Sequence, residues 1–183
     1  KYHVNFDPLP QGFSYAKFNN LESVKALVNE KTCAIIVEPI QGEGGIVPAT
    51  VEFLQGLREL CDQKDILLIY DEVQCGMGRS GKPFAYQVYQ VKPDILTTAK
   101  ALAGGIPAGA MLSCDKANEI FTPGDHASTF GGNALAMAGV NEMVRRLNDP
   151  EFTDAVQQMG SYLREKLVQL AALYPTLCGE VRG

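Results

Sequence analysis

Metal-binding spacing is the first thing this sequence lacks. Its five cysteines, Cys33, Cys61, Cys75, Cys114 and Cys178, are odd in number and far apart, and no two form a Cys-x-x-Cys pair. Zinc and dithiol redox motifs are therefore unsupported, no metal is expected, and reduced thiols in a cytoplasmic protein are the simplest reading. Histidine is scarce as well: His3 and His126 are too few for a histidine-based catalytic triad. Long apolar runs are missing. A spanning helix needs roughly 20 such residues, and the uncharged stretches here are short or glycine-rich, as in Ala101–Ser113. Excess positive charge is missing too. Lys and Arg number 16 against 21 Asp and Glu, a net charge of −5 without a basic cluster, which argues against a nucleic-acid binder.

What is present is an ordinary soluble composition, 46% hydrophobic and 20% charged over 183 residues. That length is a prior for one domain and part of another. The chain opens on Lys1 and closes on Val181-Arg182-Gly183 in a stretch that reads as ready to continue, so an internal segment of a longer protein is expected.

Helical patterns alternate with short apolar runs. Leu21, Val24, Leu27 and Val28 share a helical face behind Asn20, a candidate N-cap. Thr50 can cap a second helix carrying Val51, Leu54, Leu57 and Cys61. Phe84–Tyr89 reads as a short helix or turn. Buried strands are expected at Cys33–Val37, Ile66–Tyr70, Asp94–Thr98 and Gly109–Ser113. Continuous apolar strands between helices predict a mostly parallel sheet covered on both faces. Beyond residue 131 the pattern turns helical. Ala136, Val140, Met143 and Leu147 lie on one face, and Asp149-Pro150 starts a longer helix bearing Phe152, Val156, Met159, Leu163, Leu167 and Leu170. The break at 148–150 is the expected domain boundary, with 1–148 as one unit and 149–183 as a linking helix and the start of a second. Leu177–Val181 is expected to begin a strand.

In open α/β sheets ligands bind beyond the carboxyl ends of the strands, and three loops there are rich. Glu38-Pro-Ile-Gln-Gly-Glu-Gly-Gly45 places Glu38 and Glu43 among glycines that let backbone approach a ligand. Asp71-Glu72-Val73-Gln74 ends the second strand with a carboxylate able to hold a cation or raise the basicity of a ring nitrogen. Lys100 follows an apolar strand and precedes small residues, where an amine loses its proton readily and attacks a carbonyl. Taken singly, each also fits a plain structural role: solvated acids in a tight loop, a turn aspartate, a lysine snorkelling from a strand end. Gly76-Met-Gly78-Arg-Ser-Gly81 has dinucleotide-fingerprint spacing but stands five residues past the strand and runs into Lys82-Pro83, so it is set aside. Gly124–Gly132, with His126, Ser128 and Thr129, leads into a helix and could hold an anion or merely cap.

Taken in order, VEPIQGEGG (37–45), LLIYDEVQCGMGRSGKPFAY (67–86), PDILTTAKALAGGIPAGAML (93–112) and HASTFGGNALA (126–136) closely resemble the class III aminotransferases. The resemblance covers nearly the whole chain. It implies an α/β fold of type I: part of the large domain, a mostly parallel sheet flanked by helices, and the start of the C-terminal small domain. It also implies pyridoxal 5'-phosphate as cofactor. Lys100 matches the lysine that forms the Schiff base, Asp71 the partner of the pyridinium nitrogen, Val73 the residue packed on the ring, and Gln74 the one reaching the phenolic oxygen. Thr129 matches the phosphate ligand that crosses a dimer interface. Ser128 matches a substrate contact, and Glu43 a glutamate gating which substrate carboxylate enters.

FTPGDH (121–126) and VEFLQGLRELCDQ (51–63) are most similar to the acetylornithine branch, some members of which also act on succinyl-diaminopimelate. The implied reaction moves an amino group from N2-acetylornithine to 2-oxoglutarate with ping-pong kinetics, in arginine and lysine biosynthesis. Ornithine, succinylornithine or 4-aminobutyrate as amino donor, or a catalytically silent cofactor-binding module, are the alternatives. A homodimer with shared active sites, and no nucleic-acid or membrane partner, are implied. The family's Gly-Thr phosphate loop, ring-stacking aromatic and carboxylate-binding arginine are not in this chain, so the segment alone is expected to be inactive. Ala103, Ala127 and Ala134 depart from the usual glycine, glycine and proline, and a positive φ at Ala127 would be costly.

Overall fold

The computed structural model describes residues 5–118 and 121–183; His3 lies outside them. Strand β1 (Ala34–Val37) pairs in parallel with β4 (Leu67–Asp71), and β4 in parallel with β5 (Ile95–Thr98). Strand β6 (Ala110–Ser113) closes the order β1-β4-β5-β6 antiparallel to β5, giving the mostly parallel α/β sheet that the apolar runs predict. A two-residue ladder of β2 (Ile40–Gln41) and β3 (Val47–Pro48) interrupts the loop after β1, a detail too short to leave a pattern in sequence.

Strand alternation sorts the sheet into unlike faces. Leu68, Tyr70 and Leu96 point to the buried side, whereas Ile69, Asp71, Ile95 and Thr97 are only half-buried and Ile36 is 60% exposed. The buried side meets α2 (Val51–Lys64), whose N-terminus is closed as expected by Thr50 accepting from the Phe53 N–H at 3.1 Å. Phe53, Leu54, Leu57, Leu60 and Cys61 form one stripe of α2 and pack with Leu68, Tyr70 and Val91. Each fully buried leucine there contributes about 2 kcal/mol. Loss of Leu57 would open the centre of this core.

Helix α1 (Leu21–Lys25) is capped by Asn20, as its sequence predicts, but is shorter than the apolar spacing through Val28. The Asn29 side chain bonds the Leu27 carbonyl and the Lys31 N–H, offering the backbone a turn in place of further helix. Helix α3 (Ala85–Tyr89) follows the long loop after β4, and α4 (Asp115–Asn118) follows β6.

A second, smaller core forms where Met77, Leu102 and Leu147 meet Phe84, Val140, Met143 and Phe152. It joins the loop after β4, the 3₁₀ turn Lys100–Ala103, α5 (Ala134–Leu147) and the first turn of α6 (Pro150–Leu173). Helix α5 approaches the 3₁₀ turn so closely that a Cβ on Gly139 would lie 2.6 Å from the Ala103 carbonyl oxygen. Helix α6 starts as predicted, with Asp149 as N-cap and Pro150 in its first turn. Farther along, its apolar stripe stays open, with Met159 and Leu163 more than half exposed. The strand expected at 177–181 does not form. A strand needs a partner for its backbone groups, and none lies beside this segment among the described residues. Arg182 instead donates to the Gly45 carbonyl at 3.0 Å. No helix among the described residues is long and apolar enough to cross a membrane.

Candidate functional site

The carboxyl ends of β1, β4 and β5 point the same way and present three loops side by side. Asp71 is the last residue of β4 and stands opposite Thr97 of β5 in the register. Its Oδ1 accepts from the Val73 N–H at 3.0 Å and from the Thr97 hydroxyl at 3.3 Å. Both donors fall on one oxygen, which leaves Oδ2 able to take another from outside the chain.

Lys100 lies three residues past Thr97, within about 11 Å of it along the chain. It opens the 3₁₀ turn with an exposed side chain and a φ of +50°. For a residue with a Cβ that left-handed conformation costs about 1–2 kcal/mol. Ile46 (φ +52°) and Met77 (φ +55°) share this strain. The loops after β1, β4 and β5 thus each hold such a residue, although Asn5, Asn19, Asp65 and Gln90 adopt it elsewhere. Strain that the surrounding structure over-determines is a mark of functional sites.

The first loop meets the second through Gly42 and Gln74. A Cβ on Gly42 would overlap the Gln74 side chain, so only glycine admits this approach. The Gly42 N–H is held by Glu38 Oε2 at 3.0 Å, and its carbonyl accepts from Gly45 and Ile46, closing a tight turn. Glu43 sits exposed on that turn. Glu38 therefore has a structural role, while Val73 and Gln74 are half-buried on the turn that follows Asp71.

Ser128 and Thr129 are placed differently. Residues 121–135 are all exposed. The hydrogen bonds around the pair are local, such as Gly131 N–H to the Ser128 carbonyl. The capping reading of Ser128 or Thr129 is corrected: Asn133 caps α5, accepting from the Ala136 N–H at 2.9 Å. It competes better because it directly precedes the first helical residue, Ala134. Thr129 therefore does not stand at a helix N-terminus. Ala127 has no positive φ, so alanine there carries no such strain.

The glycine-rich 76–81 segment serves packing. A Cβ on Gly78 would lie 2.8 Å from Leu147 Cδ2, and the Gly81 carbonyl accepts from Gln157 Nε2 at 2.9 Å. Cys75 is buried beside Asp71, and burial pushes its thiol up to about 12, which makes it inert as a nucleophile near neutrality. No cluster of His, Cys, Asp or Glu among the described residues could hold a metal ion.

Two residues escape a reading by motif alone. Thr97 orients Asp71, and its signal was only its place opposite a strand-end carboxylate. Glu72 is fully buried, and period-two alternation from Leu68 and Tyr70 was the available clue.

The sequence profile of the aminotransferase class-III family matches residues 1–183. The chain is 50% identical over 182 residues to the succinylornithine transaminase of Salmonella paratyphi A, covering all of this chain and 44% of that protein. It therefore spans less than half the length of the curated relatives it matches. The fold superposes on the N-acetylornithine aminotransferase of Stenotrophomonas maltophilia with a TM-score of 0.84 and 40% identity, over 96% of this chain and 45% of the other. It matches the ornithine aminotransferase of Toxoplasma gondii with a TM-score of 0.85 and 36% identity, over 91% and 40%; in that structure pyridoxal phosphate partly occupies the active site.

Proposed function

The chain belongs to the class-III aminotransferases, and from that premise we propose that it carries the cofactor-anchoring part of an enzyme moving an amino group from N2-acetylornithine to 2-oxoglutarate. The carrying observation is the pair formed by Asp71, with one carboxylate oxygen left open, and Lys100, held in a strained conformation at the end of the adjacent strand. The donor set fits pyridoxal 5'-phosphate: a carboxylate for a ring N–H, an amine for an aldehyde, and an amide at Gln74 for a phenolic oxygen. When bound, this cofactor supplies an electron sink for the electron pair at the amine-bearing carbon.

Asp71 holds the ring nitrogen in its protonated form. Val73 packs against the ring. Lys100 Nζ would hold the cofactor's aldehyde group, and as a free amine it would carry the proton taken from the substrate's amine-bearing carbon. Glu43, on its exposed turn, selects among substrate carboxylates, and Ser128 contacts the substrate. The donor would leave as a carbonyl compound, its amino group kept on the enzyme, before 2-oxoglutarate binds, which gives ping-pong kinetics.

Thr129 belongs to the phosphate site of a second copy, in a homodimer with shared active sites. The wholly exposed 121–135 segment, with Phe130 81% exposed, supports that reading. Residues 1–148 form the large-domain part and 149–183 lead into a small domain. All five cysteines are free, which supports a cytoplasmic location.

The 50% identity to a succinylornithine transaminase favours N2-succinylornithine as a second donor reading. One experiment addresses both anchor and donor. The full-length protein is loaded with pyridoxal phosphate, reduced with borohydride and mapped by peptide mass spectrometry, with Lys100→Ala as control. Glutamate formation is followed in parallel with each of the two acylated ornithines, ornithine and 4-aminobutyrate. Label on Lys100 alone and turnover of acetylornithine are expected. Label scattered elsewhere would sink the anchoring role, and turnover of only another amine would replace the donor.

A further inference from the structure

Asp71 and Glu72 are consecutive carboxylates on opposite faces of the sheet. The first faces the site; the second has no accessible surface at all. Glu72 is nevertheless tied to backbone through its main chain and both carboxylate oxygens. Its N–H donates to the Thr97 carbonyl at 3.0 Å, and its own carbonyl accepts from the Gly76 N–H at 3.0 Å. Its Oε2 accepts from the Ala85 N–H at 2.6 Å and its Oε1 from the Tyr86 N–H at 2.8 Å.

Those two amides open α3, whose N-cap position is Phe84, a residue without a side-chain acceptor. The Phe84 N–H itself is taken by Gln87 Oε1. Glu72 thus supplies, from thirteen and fourteen residues away, the acceptors that a serine or aspartate cap would provide locally. Gly76 completes the fold-back: a Cβ there would lie 2.7 Å from the Glu72 carbonyl oxygen.

The mechanical link to Asp71 is short. The hydrogen bond from Val73 N–H to Asp71 Oδ1 spans residue 72. Whatever fixes the backbone of residue 72 fixes that turn, and with it the direction of Asp71 Oδ2. Burial pushes the Glu72 carboxyl above its ordinary range, and the two amides only partly offset this. Its ionised form is therefore costly to keep inside, and the two α3 amides are what the structure sets against that cost.

We propose that Glu72 is a positioning residue for Asp71: clamped to the first amides of α3, it holds the turn after β4 so that one Asp71 oxygen stays aimed at the cofactor's ring nitrogen. The proposal rests on the function given above. Its test uses the full-length protein and Glu72→Gln, which keeps the shape but leaves one of the two amides facing an NH2 group. Cofactor affinity is measured by titrating the apo-protein with pyridoxal phosphate, alongside the absorption of the bound cofactor across pH, kcat and KM, and the thermal midpoint.

The expected result is a kcat lower by about tenfold, by analogy with residues that orient a metal ligand. The donor KM should stay within about twofold. Weaker cofactor binding, a shifted absorption profile and a midpoint within about 4 °C of wild type are also expected. A lowered midpoint with unchanged kcat, affinity and absorption would overturn the proposal and leave Glu72 a structural cap. Should Glu72→Gln not fold, Glu72→Asp is read in the same way, since it keeps the charge but is one methylene too short to reach both amides. A wild-type protein that binds no pyridoxal phosphate would overturn the functional reading itself, whereas wild-type binding with a wild-type-like variant overturns only this inference.

Discussion

The two ends of the β4–β5 pair carry similar side chains and treat them in opposite ways. At the amino end, Asp94 accepts from the Leu68 N–H at 2.7 Å and from Arg58 at 2.9 Å. Arg58 also pairs with Asp62, and Lys116 with Asp65. Burial alone would raise the Asp94 carboxyl, but the Leu68 amide and the Arg58 guanidinium outweigh it and hold it below its ordinary range. At the carboxyl end, Asp71 has one occupied oxygen and one open, and Lys100 stands exposed on strained backbone. Both strong donors to Asp94 fall on Oδ2, but its Oδ1 also meets the Cys114 thiol at 3.7 Å and Arg58 neutralises its charge. Among the described residues Asp71 has neither a donor on Oδ2 nor a paired cation, and is left able to bind something else. Charge at a strand end is therefore not a functional signal by itself; its unspent hydrogen-bonding capacity is.

Substituting each aspartate should separate the two ends. Asp71→Asn in the full-length enzyme removes the charge proposed to face the ring nitrogen and should lower kcat by about 10²–10³-fold. Its thermal midpoint should barely move, as a scanning melt would show. Asp94→Asn should do the reverse. It leaves Arg58 partly unpaired and costs about 3 kcal/mol of stability, visible as a lower urea midpoint, with kcat unchanged. The pH dependence follows from the depressed carboxyl. Asp94 contributes its stability fully above its unfolded value of about 3.9, and loses it as pH falls through the lower folded value. The variant should therefore show a shallower loss of stability on the acid side. A kinetic defect in Asp94→Asn would break the comparison.

Much of this was legible beforehand. Apolar runs located every strand of the main sheet, and Asn20, Thr50 and Asp149 marked helix starts because a cap acts on amides only two or three residues away. The rest depended on long-range partners. Glu72 caps a helix thirteen residues downstream, and Gly42 is glycine because Gln74 lies against it. Neither relation leaves a period in the sequence. Of the two readings open for Ser128 and Thr129, capping falls away because Asn133 sits closer to the helix. The strand expected at 177–181 lacked a partner among the described residues, and no local pattern can supply one. Lys100 and Asp71 were singled out by motif, yet the strain at Lys100 and the open oxygen of Asp71 were visible only in three dimensions.

The smallest expected effect tests the comparison most finely. Thr97→Val keeps the shape of β5 and removes only the hydroxyl bonded to Asp71 Oδ1 at 3.3 Å. A neutral hydroxyl giving a long bond to a carboxylate is worth about 1 kcal/mol. The side chain is half-buried, so valine adds no unsatisfied polar group and stability should hold or rise slightly. Asp71 would keep the Val73 amide but lose its lateral tether, and the proposed aim at the ring nitrogen would loosen. The expected outcome is a kcat lower by about threefold to fivefold, again with the urea midpoint unmoved. Removing the Arg58 bond to Asp94 by Arg58→Met at the other end should shift the midpoint and leave kcat alone. If Thr97→Val instead lowered stability and spared kcat, the carboxyl end would be held together as the amino end is, and Asp71 would be as fully engaged by the protein as Asp94.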